Sequence, residues 1–280
     1  MKPYDENELI DLAVNGDGEA LERLLLGMQD FIFNLSLRML GTVADAEDAT
    51  QEILIKVMTK LSTFRKESKL STWVYRIAVN DLLQYKKSMF ANAPMSFAFF
   101  GGDIAAGAGE AAADELPEAE RLMLSEELKL SCTNVMLQCL DPESRCIFVL
   151  GTMFKLDSRI AGELLQMTPE NYRQKLSRVR RKMVEFLSQY CGLSGTGMCS
   201  CKRRVGYAVE QGRLNPRQPV YQTLQTLDTE TLVAVSESME ALNDAAAVFT
   251  GLPAYRSPVT AAALIAKLLQ SAPMQTVRNR

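Results

Sequence analysis

Asp45-Ala46-Glu47-Asp48-Ala49-Thr50-Gln51-Glu52-Ile53-Leu54-Ile55-Lys56-Val57, followed by Phe64-Arg65 and then by Leu70-Ser71-Thr72-Trp73-Val74-Tyr75-Arg76-Ile77-Ala78-Val79-Asn80-Asp81, is the stretch from which the rest of the chain is read. Its first part opens on carboxylates, which suit a helix N-terminus because they meet the positive end of the helix dipole. Leu54, Val57 and Leu61 then continue an apolar face at helical spacing. Asp45, Asp48 and Glu52 fall on neighbouring turns with Gln51 beside Glu52, so one edge of this helix is an acidic, hydrogen-bonding strip. Charge pattern alone favours a solvated face over a docking edge for such a strip. The second part mixes rings with cations: Phe64, Arg65, Lys66, Lys69, Trp73, Tyr75, Arg76, Asn80, Tyr85, Lys86 and Lys87. Single-stranded nucleic acid asks for that combination, because cations follow phosphate while ring faces and shaped pockets accept unstacked bases. Trp73, in step with Leu70 and Ile77, reads as a core residue.

Working outward, the chain divides into residues 1–90, 91–120, 121–187 and 188–280. The first segment repeats apolar residues at three and four, as in Leu9, Leu12, Ala13 and Leu21, Leu24, Leu25, Met28, with breaks at Gly16-Asp17-Gly18 and Gly41-Thr42. The second, rich in Ala, Gly and Pro with an acidic later half, reads as a flexible linker. The third returns to helical periodicity from Leu122 to Leu187. The fourth opens with Cys191-Gly192 and Cys199-Ser200-Cys201, and resumes helical pattern around Leu224 to Val248 and Val259 to Leu269. No repeat and no strand alternation of any length is present, so the fold class is all-α.

Composition sets the outer bounds. A chain of 280 residues with 47% hydrophobic residues suffices for two or three small domains. No apolar run approaches the ~20 residues of a spanning helix, and Met1 to Asn7 carry no apolar signal core, so the expectation is a cytoplasmic protein with no membrane partner. Zero histidines remove the usual general base, and no glycine-rich phosphate loop is present, so an enzyme is not expected. The net charge of −3 confines any DNA-binding surface to local patches.

The Asp45 to Asp81 stretch resembles region 2 of the bacterial sigma factors of the extracytoplasmic-function (ECF) group, the specificity subunits of RNA polymerase. The resemblance implies that Asp45, Asp48, Gln51 and Glu52 dock on the clamp helices of the largest polymerase subunit. It further implies that the loop Phe64 to Leu70 captures a flipped base of the minus-ten element, with Arg65, Lys66, Lys69, Arg76, Asn80, Lys86 and Lys87 as its DNA-binding residues. Downstream, Leu140-Asp141-Pro142-Glu143-Ser144-Arg145 and the run from Ile160 to Lys182 resemble sigma region 4 with its helix-turn-helix. Thr168 is a fitting N-cap with Pro169 at the first helical position, so a helix is predicted to start there. It is strongly basic: Arg173, Lys175, Arg178, Arg181 and Lys182 suit phosphate, while Asn171, Arg173 and Gln174 near its start are placed for base edges of a minus-thirty-five element. Arg159 stands where the family often has an acid.

The cysteines fall into two groups. Cys132, Cys139 and Cys146, spaced by seven, read as small apolar core residues. Cys191, Cys199 and Cys201 sit among Gly, Ser and Thr beside Lys202-Arg203-Arg204, where zinc binding and redox sensing are both open. Three thiolates leave a tetrahedral zinc one ligand short, so a fourth would come from a carboxylate, another cysteine, water or a second chain.

The expected architecture is therefore two small helical domains, a region 2 bundle and a region 4 helix-turn-helix, joined by a flexible linker and followed by a helical, regulatory C-terminal extension. By resemblance the chain is an alternative sigma factor whose partners are core polymerase and promoter DNA, with an anti-sigma factor left open and no cofactor required. A stand-alone helix-turn-helix regulator is the other reading.

Overall fold

The computed structural model describes residues 5–85, 87, 89–92, 95–108, 117–226, 247–260 and 263–265. Its boundaries follow from local chemistry. Helix α1 spans Glu6–Val14. Helix α2, Gly18–Leu40, begins where the Asp17 carboxylate accepts the N–H groups of Glu19 and Ala20, and stops at Gly41 with φ +87°. Helix α3, Val43–Lys60, is capped by the Thr42 hydroxyl, which accepts the N–H of Asp45. A 3-10 turn at Leu61–Thr63 leads to α4, Leu70–Leu83, and the short α5, Met89–Asn92. Helix α6 is Phe97–Ala106, capped by Ser96, and α7 is Glu118–Leu137.

The second half opens with α8, Pro142–Phe148, capped by Asp141, and continues through a π turn at Val149–Met153. Helix α9, Ser158–Leu164, and α10, Pro169–Tyr190, follow; Thr168 caps α10 with Pro169 in its first turn, as the sequence predicts. Helix α11 is Cys201–Glu210 and α12 is Ala247–Thr250. Among the described residues there is no strand, only isolated bridges at Cys191 with Cys199 and Thr226 with Tyr255. The all-α class is thus as read. No described helix is long and apolar enough to cross a membrane.

One buried cluster runs through both halves. Ile53, Leu54 and Val57 of α3 meet Leu70, Val74 and Ala78 of α4 and the inner face of α2, and the same cluster continues into Ile147, Phe148, Leu164, Tyr172 and Met183. Each such aliphatic side chain contributes roughly 1.5–3 kcal/mol on burial. The two helical units therefore share a core, where the sequence suggested separate ones. The expected linker also differs in part: α6 lies inside it, with Phe100 and Ile104 buried and the Phe97 and Phe100 rings against Phe186 of α10 at 5.0 and 6.0 Å. Its Ala and Gly content concealed Phe97, Phe100 and Ile104, enough apolar surface to dock a short helix while Phe99 stays exposed. The acidic later half of that stretch, residues 109–116, lies outside the described residues, as do most of the helical patterns expected from Leu224 to Val248 and from Val259 to Leu269.

Candidate nucleic-acid interface

The acidic strip is where its spacing put it, on α3. Ala46, Ala49, Ile53 and Leu54 are buried, which turns Asp48 outward and leaves Asp45, Gln51 and Glu52 half-buried along the edge. Asp45 is partly drawn into the cap, its carboxylate accepting the Thr42 hydroxyl at 2.8 Å. The strip creates a negative field at its neighbours. Burial raises the Tyr85 phenol to about 12, helped by the charges of Glu52, Asp48, Asp45 and Asp81. Glu47 is raised by its partial burial and then by Asp48.

Beyond α3 the chain turns through Phe64 to Lys69. Lys66 takes a left-handed backbone (φ +59°), and Arg65 and Lys69 project into solvent. Lys66 pairs with Asp11 of α1 at 2.5 Å. On α4, Asn80 is exposed, and Arg76 pairs with Glu163 of α9 at 2.5 Å. Lys87 pairs with Glu52, and that hydrogen bond raises its pKa above the ordinary lysine value. Lys86 lies outside the described residues. The rings of this segment are largely engaged inside the fold: Trp73 rests on Phe64 at 5.4 Å, and Tyr75 stacks on Phe31 at 3.9 Å.

Helices α9 and α10 form the helix-turn-helix. Gln166 in the turn has φ +55°, and Gly162 lies so close to the turn that a Cβ there would stand 2.8 Å from the Met167 carbonyl oxygen. Asn171, Arg173, Gln174, Arg178, Arg181 and Lys182 are exposed on α10, and Lys175 is half-buried. Arg173 is held by Glu170 and the Ser158 hydroxyl, both at 2.9 Å, and Lys175 by Glu143. Lys182 sits 4.8 Å over the Phe97 ring of α6, a contact that the linker reading did not anticipate. Arg180 turns inward instead, donating to the Thr152 hydroxyl and the Gly151 carbonyl.

Several connecting residues carried no local signal in the sequence. Glu163 is one, because its partner Arg76 lies far upstream. Glu127 of α7 is 3% exposed and accepts the backbone N–H groups of Val220, Tyr221 and Gln222. Asn34 of α2 bonds the backbone of Tyr255 in both directions, at 2.7 and 2.9 Å. Arg38, whose pKa burial lowers, donates to Asn134 and to the Pro253 carbonyl. The C-terminal extension is thus tied to α2 and α7.

Cys139 and Cys146 are core residues, as read. Cys132 packs against the core as well, and in addition lines a small pocket together with Cys191, Cys199 and Cys201. Burial raises all four thiols, Cys201 to about 11.

Comparison with known proteins supplies the class. Residues 25–88 match the Sigma-70 region 2 family, which takes in most of α2 together with α3 and α4. The chain is 26% identical over 188 residues to the RNA polymerase sigma-H factor of Pseudomonas aeruginosa, covering 65% of this chain and 93% of that relative. It is 33% identical over 126 residues to the ECF RNA polymerase sigma-E factor of Escherichia coli, covering 43% of this chain and 62% of the relative. Over 75 residues it is 40% identical to the ECF RNA polymerase sigma factor SigW of Bacillus subtilis, covering 26% of this chain and 40% of the relative. The helices from most of α2 through α4 therefore lie within the stretch that matches sigma region 2. Domain and relatives together support an RNA polymerase sigma factor of the ECF type, acting in transcription initiation.

Proposed function

We propose that this chain is an alternative, cytoplasmic sigma factor that binds core RNA polymerase through α3 and reads promoter DNA through two separate basic surfaces. The observation that carries the reading is the adjacency, inside the matched region, of the outward acidic edge of α3 and the cations of the Phe64 to Lys87 segment, joined by the Glu52 to Lys87 pair. Asp45, Asp48, Gln51 and Glu52 take the clamp helices of the largest subunit. Arg65, Lys66, Lys69, Arg76, Asn80, Lys86 and Lys87 take the minus-ten element, where extruding a base costs a few kcal/mol that a fitted protein site returns. Asn171, Arg173 and Gln174 reach base edges of the minus-thirty-five element while Lys175, Arg178, Arg181 and Lys182 hold phosphate. The action is binding and not catalysis, and it needs no cofactor.

The free chain is held in a closed form. Glu163 of the helix-turn-helix occupies Arg76, so the minus-ten surface and the minus-thirty-five unit lie against each other. Polymerase separates them to promoter spacing, which makes DNA binding an avidity effect of the holoenzyme. The C-terminal extension, whose residues 220–222 are tied to α7 and residues 253–255 to α2, acts as a regulatory lid on that opening. A stand-alone helix-turn-helix regulator would leave the edge of α3 without a role.

Binding of the purified chain to sigma-free core polymerase tests the reading. Nanomolar to micromolar association is expected, reduced at least roughly 10-fold by D48K or E52K, as loss of a charge pair at an interface would give. Truncation after Leu187 is expected to raise promoter-dependent transcription. Equal binding by parent and charge-reversed chains would remove α3 as the contact, and loss of transcription on truncation would make the extension a required module.

A further inference from the structure

We infer that Cys132, Cys191, Cys199 and Cys201 form one four-thiolate site for a thiophilic divalent cation of the zinc class, which pins the start of the C-terminal extension to α7. The four residues come from three places: Cys132 from the later half of α7, Cys191 from the end of α10, and Cys199 and Cys201 from the loop and first residue that open α11. All four line the same pocket, whose remaining wall includes Ile104, Met136 and Leu193. The fourth ligand that the three-cysteine motif lacks is thus supplied by a residue that sequence spacing assigned to the core.

The loop is built to hold its sulfurs. Cys191 and Cys199 pair as a parallel bridge, and the Cys199 N–H donates to the Tyr190 carbonyl at 3.1 Å. The Ser194 hydroxyl closes the turn on the Leu187 and Cys191 carbonyls, and Thr196 bonds the Ser188 carbonyl. Gly197 packs directly on Cys191, where a Cβ would stand 2.3 Å from the Cys191 nitrogen, so only glycine lets the two strands of the loop approach. A divalent ion with four thiolates carries two net negative charges. Lys129 lines the pocket, Arg203 lies near Cys199, and Arg204, which pairs with Asp103, also brings its Nη1 within 3.9 Å of Cys132 Sγ.

Among the described residues no three Cys, His, Asp or Glu side chains already stand as a metal-holding cluster. The ion therefore draws the sulfurs in by side-chain rotation, and each thiol that becomes a ligand releases its proton to solvent while a metal–sulfur bond forms. A disulfide between Cys191 and Cys199 would use the bridge but give Cys132 and Cys201 no part.

The test uses the full-length chain, stripped with chelator and kept reduced, titrated with Zn²⁺ alone and with Co²⁺ as the spectroscopic probe. Expected are one metal per chain, a tetrahedral Co²⁺ spectrum with charge-transfer intensity for four thiolates, and Zn²⁺ affinity lowered roughly 100-fold in C132S and in C201S, the scale of one ligand's share of a structural zinc site. C139S should match the parent. The thiolate count in the unsubstituted chain keeps the proposal testable even if C132S fails to fold. No metal uptake, a three-thiolate spectrum unchanged in C132S, or a Cys191–Cys199 disulfide that leaves the other two thiols free and the chain unable to take metal would each overturn it. The titration contains no polymerase, so its outcome is independent of the sigma-factor reading.

Discussion

Replacing Glu127 is expected to undock the segment around Tyr221 while leaving the main core intact. The Glu127 carboxylate accepts Val220 N–H at 2.6 Å, Tyr221 N–H at 2.9 and 3.1 Å, and Gln222 N–H at 3.2 Å, and only 3% of the residue is exposed. Hydrogen bonds to a charged acceptor contribute about 1.5–3 kcal/mol each. Three donors forced to remain buried without their acceptor would cost roughly 4–9 kcal/mol. The segment has an escape, because it can detach and give the same N–H groups to water. The observable loss is then capped by the docking free energy of residues 214–226, to which burial of Leu214 and Tyr221 contributes about 3–6 kcal/mol before chain entropy is subtracted. In E127A, amide hydrogen exchange at Tyr221 and Gln222 should accelerate at least about 100-fold, a loss of some 2.7 kcal/mol of local protection. Amides of α2 to α4 should keep their protection within about 1 kcal/mol. E127Q, which keeps the size but adds a donor facing donors, should lie between the two. Unchanged exchange at Tyr221, or equal loss across α2 to α4, would refute the argument that this carboxylate anchors a separately docked segment.

How far the sequence reached can be seen residue by residue. Helix α3 was legible because alanines and aliphatics at helical spacing leave only one place for its carboxylates, and the start of α10 was legible because Thr168 and Pro169 have one common geometry between them. Both signals are local. Helix α6 was hidden because its burial depends on Phe186, nearly ninety positions later, and composition averages over Phe97 and Phe100. The closed packing was hidden for the same reason: the pairs Arg76 with Glu163, Asn34 with Tyr255 and Glu127 with Tyr221 join residues that no periodicity relates. Of the candidate site, the acidic edge and the exposed face of α10 were readable, whereas the engagement of Lys182 by Phe97 and the company of Cys132 required the fold.

Other outcomes follow from the same contacts. D48K changes an exposed residue, so thermal stability should move by no more than about 0.5 kcal/mol while polymerase binding weakens, which calorimetry and a binding titration separate. G162A should destabilise the helix-turn-helix by about 1–3 kcal/mol, because its Cβ meets the Met167 carbonyl backbone, and denaturant unfolding reads the shift. R178A and R181A should each flatten the salt dependence of holoenzyme–promoter binding by about one unit of slope if they contact phosphate, with little change in sequence preference. For Asp103, burial alone would raise the carboxyl, but hydrogen bonds from Arg213 and Tyr207 and the charges of Arg204 and Arg213 outweigh it and hold its pKa below the ordinary value. A depressed carboxylate stabilises the fold above its unfolded pKa of about 4 and ceases to do so as pH falls through the folded value, so the α6 to α11 contact should loosen in acid and D103N should remove that dependence.

Transcription in vitro by core polymerase supplemented with the purified chain, on a pool of genomic fragments with start sites sequenced, tests the central claim most directly. Expected are new start sites that share a pair of upstream elements at fixed spacing, more abundant with the chain truncated after Leu187 and abolished by D48K combined with E52K. No new start sites from either the full or the truncated chain, alongside sequence-specific duplex binding without polymerase, would contradict it and leave the stand-alone regulator as the function.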